Sequence, residues 1–377
     1  MPATNINLPT RIIRRVRYEY EIVISKINYR LYLKNLKRYN YKGKDVIFFY
    51  MHPILDIRSG GILSIYFLLD VTAKYLKDAI VEPATIHKRP TYTKANWFDN
   101  DKNIYNILYL QKELLKTSNL IVHVPEGLYI EFCDLITQNK MFHLAKHMSV
   151  NILNQNATMA PSEKEIGQGT NLFGKVTMTL AFEINKSTRY ESLSSDPYFI
   201  SSWFYKYTIE EVAFEEKEDI CLVSPDNHID KKKIVAKLES ECGVKCIEII
   251  NMRFEEFQSL QKRAKWGISF GEGFDNYFGG PFLKDGVGFS VYNRTFFPKN
   301  FLEDELPQTV FKSYDLLNDG IVEVLNNLNS KTKYEKYVAQ MKRIVLTHNS
   351  PEIVIEKLLY FYSQELGEVS NSEDCSN

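Results

Sequence analysis

Apolar residues along this chain fall into short runs separated by segments of helical period. DVIFFY (residues 45–50) is an apolar run of strand length, and ILSIYFLLDVTAKYLK after it has the pattern of a helix. The alternation continues through IVEPATI, a helix around Ile104 to Lys116, the strand LIVHVPE (Leu120 to Glu126) and a helix around Tyr129 to His143. The strand SVNILNQN (Ser149 to Asn156), a short helix in PSEKEIG and the strand KVTMTLA (Lys175 to Ala181) close this series. Repeated strand–helix units of this length predict a parallel sheet covered on both faces. The pattern breaks in NKSTRYESLSSDPYFISSWFYKYTIEEVAFEEKED. A second α/β series then starts at DICLVSPD (Asp219 to Asp226), running through KKKIVAKLESE, VKCIEII, FEEFQSLQKRA, WGISF, a short helix and VGFSVYN. Three helical stretches follow, the last being EIVIEKLLYFYSQEL (Glu352 to Leu366).

These breaks divide the chain into a basic helical segment (1–44), a first α/β domain (45–190), a linker (191–218) and a second α/β domain (219–345). A terminal helix (346–366) and a polar tail (367–377), expected to be disordered, complete it. At 377 residues the chain exceeds the size at which one core stops growing, which agrees with two domains. No short-period repeat is visible, which argues against a solenoid.

Composition is that of a soluble globular protein, 44% apolar and 25% charged. The formal net charge is zero, so the whole molecule has no electrostatic case for nucleic acid. Five scattered cysteines without a CxxC argue against zinc or a disulfide framework and favour a reducing compartment. No run approaches eighteen apolar residues and no apolar signal-peptide core opens the sequence, so a cytoplasmic location is expected. Between Arg11 and Arg38, Ile13, Arg17, Tyr20, Ile24, Ile27 and Leu31 lie near one helical stripe opposite a strongly basic surface. Such a helix suits an anionic membrane surface, and equally a first helix packed on the domain behind it.

The chemistry concentrates in FGEGFDNYFGGPFLKDGVGFSVYN, Phe270 to Asn293. WGISF ends in an acid, Glu272, held between Gly271 and Gly273, where open parallel sheets place their ligands. Glycines there let the backbone approach a bound group closely. This order of acid, glycine, aromatic, short helix and apolar strand resembles the donor-sugar loop of GT-B glycosyltransferases, especially the retaining family-four type. That family carries two glutamates eight residues apart, the first on the donor sugar and the second on the ribose. Glu272 matches the first, and Gly280 stands at the second. A carboxylate from Asp285, a rearranged loop, an altered donor and a lost activity are the alternatives left open. A Glu272 that caps a helix, or pairs with Lys284 or Arg294, is the structural alternative.

The resemblance implies two Rossmann-like domains facing a central cleft, with the C-terminal helices crossing back to the first. It implies transfer of a sugar from a nucleoside-diphosphate donor to a hydroxyl of a growing cell-surface glycan (capsule, lipopolysaccharide or exopolysaccharide), free or lipid-linked. Retention and independence of metal are implied with it; no DxD stands at a strand end, and no cofactor is expected. Further candidates follow by position. In HPILDIRSGG, Gly60 and Gly61 open a helix whose N–H groups and dipole favour an anion, with Arg58 beside them. Glu126 ends a first-domain strand and is a candidate for acceptor binding or base work, whereas His123 within that strand reads as a core histidine. Asn151, Asn154, Gln155 and Asn156 suit a hydroxyl-rich ligand or ordinary turns. In SPDNHIDKKK, the resemblance makes His228, Lys231 and Lys232 the phosphate candidates, with Asp226 or Asn227 as helix cap; a solvated surface helix opening with three lysines is the alternative. Gly273, Phe274, Asp275, Asn276 and Tyr277 complete the donor set. A non-catalytic nucleotide- or glycan-binding subunit and a nucleotide-sugar epimerase are the competing classes.

Overall fold

A computed structural model describes residues 39–366 apart from 54–56, 89–91, 184–189 and 300, together with scattered positions between 16 and 36. Most of the basic N-terminal helix and the polar tail expected from the sequence lie outside the described residues.

Seven strands, β1 (Asp45–Tyr50), β2 (Ile80–Thr85), β3 (Tyr105–Asn106), β4 (Asn119–Pro125), β5 (Met148–Asn154), β6 (Lys175–Leu180) and β7 (Tyr198–Phe199), form one sheet. Its order is β3-β2-β1-β4-β5-β6-β7, and every pair is parallel. Five more strands, β8 (Glu218–Val223), β9 (Lys245–Glu248), β10 (Ala264–Ile268), β11 (Val287–Val291) and β12 (Val310–Phe311), form a second parallel sheet in the order β12-β11-β10-β8-β9. Residues along a strand alternate between faces, and β1 shows what that does here. Val46, Phe48 and Tyr50 enter one core while Ile47 and Phe49 enter another, each fully buried. A strand that must bury both faces can carry no polar alternation, which is why DVIFFY is uninterrupted.

In each sheet the strand order reverses once, between β1 and β4 and between β8 and β10. Loops leaving adjacent strands at such a point diverge and open a crevice. The loops after β1 (Arg58, Gly60, Gly61), β4 (Glu126), β8 (Asp226 to Lys231) and β10 (Glu272) all emerge there.

The last helix, Pro351–Leu366, crosses back to the first domain. Tyr362 reaches Thr72 on the Gly60–Tyr75 helix (Oη to Oγ1, 3.0 Å) and His123 on β4 (Oη to Nε2, 2.8 Å), while Lys175 on β6 pairs with Glu365 at 2.9 Å. Val354, Leu358, Phe361 and Tyr362 are fully buried by this docking, each worth roughly 1.5–3 kcal/mol on an area basis. His123 is the packed core histidine the strand predicts, stacked on Phe49 with ring centroids 4.5 Å apart.

Three expectations change in detail. The helix expected over Ile104 to Lys116 is divided: Tyr105–Asn106 pairs with β2, and the Asn106 side chain caps a 3₁₀ turn (Ile107–Tyr109) before the short Gln111–Leu114 helix. The helix expected over Tyr129 to His143 is two, Tyr129–Gln138 and Phe142–His147, separated where Lys140 adopts φ 53°. The linker stretch contributes β7 to the first sheet. Among the described residues no helix is long and apolar enough to cross a membrane.

Candidate functional site

The loop after β10 is built on close backbone contacts. Ser224 Oγ accepts from Phe270 N–H at 2.9 Å, and Tyr314 Oη donates to the Phe270 carbonyl at 3.1 Å. Gly273 has φ +91°, and a Cβ there would come within 2.7 Å of the Val291 carbonyl. Only glycine fits this turn. Asp275 then starts the following turn: its Oδ1 accepts from Tyr277 N–H (2.8 Å) and Phe278 N–H (3.0 Å), and its Oδ2 accepts from Ser269 Oγ (2.5 Å).

Glu272 sits between these anchors and faces the other domain. Its Oε1 accepts from Asn156 Nδ2 at 2.6 Å, and Asn156 N–H donates to Glu126 Oε1 at 3.0 Å. Two carboxylates from facing sheets are thus joined through one residue at the end of β5. Glu126 is 8% exposed, and its buried Oε2 has no hydrogen-bond partner. An unsatisfied buried acceptor calls for a donor, and a ligand hydroxyl would supply one.

Electrostatics agree with the geometry. Burial raises the Glu272 carboxyl to about 7, with Asp275, Asp226 and Glu126 adding repulsion and the Asn156 amide opposing it. Burial raises Asp275 to about 6 against its hydrogen bonds from Ser269, Phe278 and Tyr277. Glu126 is raised too, by burial, and held back by backbone N–H groups of residues 126, 155 and 156. Perturbed carboxyls gathered in a cleft mark functional sites more often than structural ones.

Other predicted residues divide by location. Ser59 Oγ caps the Gly60–Tyr75 helix by accepting from Ile62 N–H at 3.3 Å, which leaves the Gly60 and Gly61 N–H groups at its open end. A Cβ on Gly61 would approach Gln155 Oε1 to 2.6 Å, so this glycine brings the β5 end against the helix start. Arg58 reaches across the cleft to the Asn251 carbonyl at 2.8 Å. His228 stacks on Tyr314, centroids 3.5 Å apart, with Phe270 at 6.3 Å. Lys231 is turned inward: its Nζ donates to the Ser224 carbonyl (2.7 Å) and the Asp226 carbonyl (3.1 Å) and pairs with Glu248. Its charge is spent on the loop, while Lys232 is exposed on the helix surface. Phe274 packs in an aromatic cluster with Phe297 (5.4 Å) and Phe301 (5.5 Å). Tyr277 packs on Phe257 at 5.8 Å, and Asn276 is half-buried with its carbonyl accepting from Gln261 Nε2 at 3.2 Å.

Gly280 has a physical reason. A Cβ on it would collide with Asn276 Oδ1 and Gln261 Nε2, so a side chain at this position would have to displace both. Asp285 does not supply the second carboxylate. It lies before the start of β11, at the opposite end of the sheet from Glu272, bonded to Val212 N–H (2.8 Å) and Lys342 Nζ (2.9 Å). Glu272 has no ion pair with Lys284, which is buried against Glu210 at 2.6 Å. Asp226 is not the helix cap; the helix starts at Lys231 after Asp230, and the Asp226 carboxylate lies where a Cβ on Gly271 would be, 2.8 Å away. Asn156 is the residue whose role sequence reasoning missed: NQN after a strand marks a turn, and nothing in it signals a partner in another domain. Among the described residues no group of three His, Cys, Asp or Glu is arranged to hold a metal ion.

No protein-family model and no curated protein matches the chain. Solved structures do. Alr3699/HepE from Anabaena in complex with UDP-glucose superposes with a TM-score of 0.52 at 8% identity, over 85% of this chain and 99% of that one. The same protein with UDP gives 0.50 at 8% over 85% and 100%, and with UDP and glucose 0.52 at 7% over 85% and 100%. The chain has the GT-B fold. Within the GT-B fold the two sheets face each other across the crevice that holds Glu126, Asn156 and Glu272, and the Pro351–Leu366 helix is the crossing element that the sequence leads one to expect.

Proposed function

We propose that this protein is a glycosyltransferase that moves a sugar from a nucleoside-diphosphate donor to a hydroxyl of a growing cell-surface glycan, free or lipid-linked. The observation that carries the reading is the Glu126–Asn156–Glu272 bridge, which sets one carboxylate of each domain at a shared point of the cleft. Glu272 receives hydroxyls of the donor sugar. The open end of the Gly60–Tyr75 helix, with His228, Arg58 and Lys232 around the cleft, meets the diphosphate. Glu126, through its unpartnered oxygen, orients the acceptor hydroxyl. Retention and metal independence belong to the same proposal: the diphosphate leaves into preorganised N–H dipoles and cations while the acceptor attacks from the same face. HepE, whose fold this chain shares, has been solved with UDP and with UDP-glucose, which makes a uridine donor the first to try. The work is assigned to the cytoplasm, at the inner face of the membrane, where the basic N-terminal segment would meet anionic lipid.

Thermal shift with UDP, GDP, CDP and dTDP sugars, followed by mass-spectrometric detection of transfer, tests this. A donor at a hundred times its Kd should stabilise the protein by about 2.7 kcal/mol, and Glu272→Gln should reduce the shift and abolish transfer. Indifference to every nucleotide sugar would overturn the reading. The closed surroundings of Gly280 favour one second reading, a subunit that binds donor without turnover. It would show the shift and no transfer.

A further inference from the structure

We propose that Asn156 is a positioning residue that joins the acceptor-side and donor-side carboxylates into one hydrogen-bonded unit and favours the ionised carboxylate of Glu272 over the protonated one. The inference rests on reading Glu272 as the donor-sugar carboxylate.

The orientation of the Asn156 amide is fixed by its neighbours. Its Oδ1 lies 2.9 Å from Thr158 N and 2.6 Å from Thr158 Oγ1. A backbone N–H can only donate, so that side of the amide is the carbonyl, and Nδ2 necessarily faces Glu272. Capping the 3₁₀ turn Ala157–Met159 uses the oxygen alone, and a serine or aspartate would cap it equally well. What asparagine adds is the N–H pointed across the cleft, a short bond to a carboxylate of the charge-assisted kind. The backbone N–H of the same residue holds Glu126, so a single residue at the end of β5 addresses both sheets.

The groups facing Glu272 make this donor matter. Asp275 on its own loop, Asp226 after β8 and Glu126 after β4 all oppose its charge. The nearby cation of the β8 loop, Lys231, is committed to Glu248 and to the Ser224 and Asp226 carbonyls, and the His228 ring is stacked on Tyr314. The Asn156 amide is the contact that favours the ionised form, and it engages Oε1 only. Oε2 is left to take a sugar hydroxyl.

Asn156→Ser keeps an oxygen for the cap and removes the donor; Asn156→Asp keeps the oxygen and adds a negative charge. The titration of Glu272 is read from ¹³C-carboxyl NMR of glutamate-labelled full-length protein, its signal assigned by its loss in Glu272→Gln. The midpoint is expected to rise by about one pH unit in Asn156→Ser and by more in Asn156→Asp. The acid limb of donor binding should move with it, while the thermal midpoint of Asn156→Ser stays close to wild type. An unmoved Glu272 midpoint in Asn156→Ser overturns the inference, whatever happens to stability. If Glu272→Gln keeps the full UDP-glucose shift, the donor-sugar reading fails, and the titration still decides whether Asn156 positions the carboxylate.

Discussion

The imidazole of His123 donates from Nε2 to the phenol oxygen of Tyr362, 2.8 Å away and 239 residues on in the chain. The direction follows from what surrounds the pair. Asn151 Nδ2 points at His123 Nδ1 (2.9 Å), so Nδ1 accepts and the proton sits on Nε2. Tyr362 then donates to Thr72, which donates to the Leu68 carbonyl at 2.7 Å. This line of bonds, wholly buried, ties β4, the Gly60–Tyr75 helix and the last helix together. Tyr362→Phe should cost about 1–3 kcal/mol in urea unfolding, because it strands a buried N–H.

Acid should attack the same place. Burial lowers His123 to about 3, against 6.5 for a free histidine. Between those values the unfolded chain binds a proton the native one refuses, so stability falls as pH drops through this window, by up to about 1.4 kcal/mol per unit. His123→Gln should flatten that slope in chemical denaturation from pH 7 to 5. Superimposable slopes would show that the native ring does take up a proton.

Glu272 gives the opposite sign. Its carboxyl, raised to about 7 from 4.5, holds its proton in the native state over a range where the unfolded chain has lost it. The stabilisation is complete below the unfolded value and is lost as pH rises through 7. Glu272→Gln should therefore be more stable than wild type at pH 8, by about 3 kcal/mol, and no more stable at pH 4. A residue of the proposed site that weakens the resting fold is what function at the expense of stability would look like; equal melting curves at pH 8 would remove that interpretation.

Two adjacent glycines should respond differently to the same change. Gly280→Ala places its methyl against Asn276 and Gln261 and should cost about 1–3 kcal/mol. Gly279→Ala meets only Val345 Cγ1 at an ordinary 3.5 Å and should be neutral or slightly stabilising. Differential scanning calorimetry on both separates local crowding from a general intolerance of the helix start. Gly280→Glu, by the same crowding, should not improve donor binding.

Lys217 provides an alkaline counterpart. Its buried Nζ donates to the Lys262 carbonyl at 2.7 Å and to the Lys284 carbonyl, and burial lowers it to about 7. Above that value the native amine sheds a proton the unfolded chain keeps to about 10.5, so this group adds stability as pH rises from 7 towards 10. Lys217→Met should remove that increment in denaturation series at pH 7.5 and 9.5.

The two α/β series and the order of their elements were legible because each strand must bury both faces, which writes long apolar runs such as DVIFFY and LIVHVP into the chain. The position of Glu272 just after β10 was legible for a related reason: an apolar run that stops at an acid between glycines marks where a strand ends and its loop begins. Two-residue strands such as Tyr105–Asn106 and Tyr198–Phe199 leave no periodicity to read. Lys231 looked like a phosphate ligand since a lysine run gives no sign of which member turns inward. Asn156 depends on how two domains face each other, which no pattern within either domain encodes.

The docking of the last helix also has a consequence for biosynthesis. The seventh strand of the first sheet ends at Phe199, yet the helix that covers that sheet's remaining apolar surface ends at Leu366. At roughly 5–20 residues per second, the ribosome needs on the order of ten to thirty seconds to bridge the two. Through that interval the surface that will receive Phe361 and Tyr362 stands open to water and to other chains. The first half of the protein is thus made first and finished last, its closure waiting on a helix from the far end of the second domain.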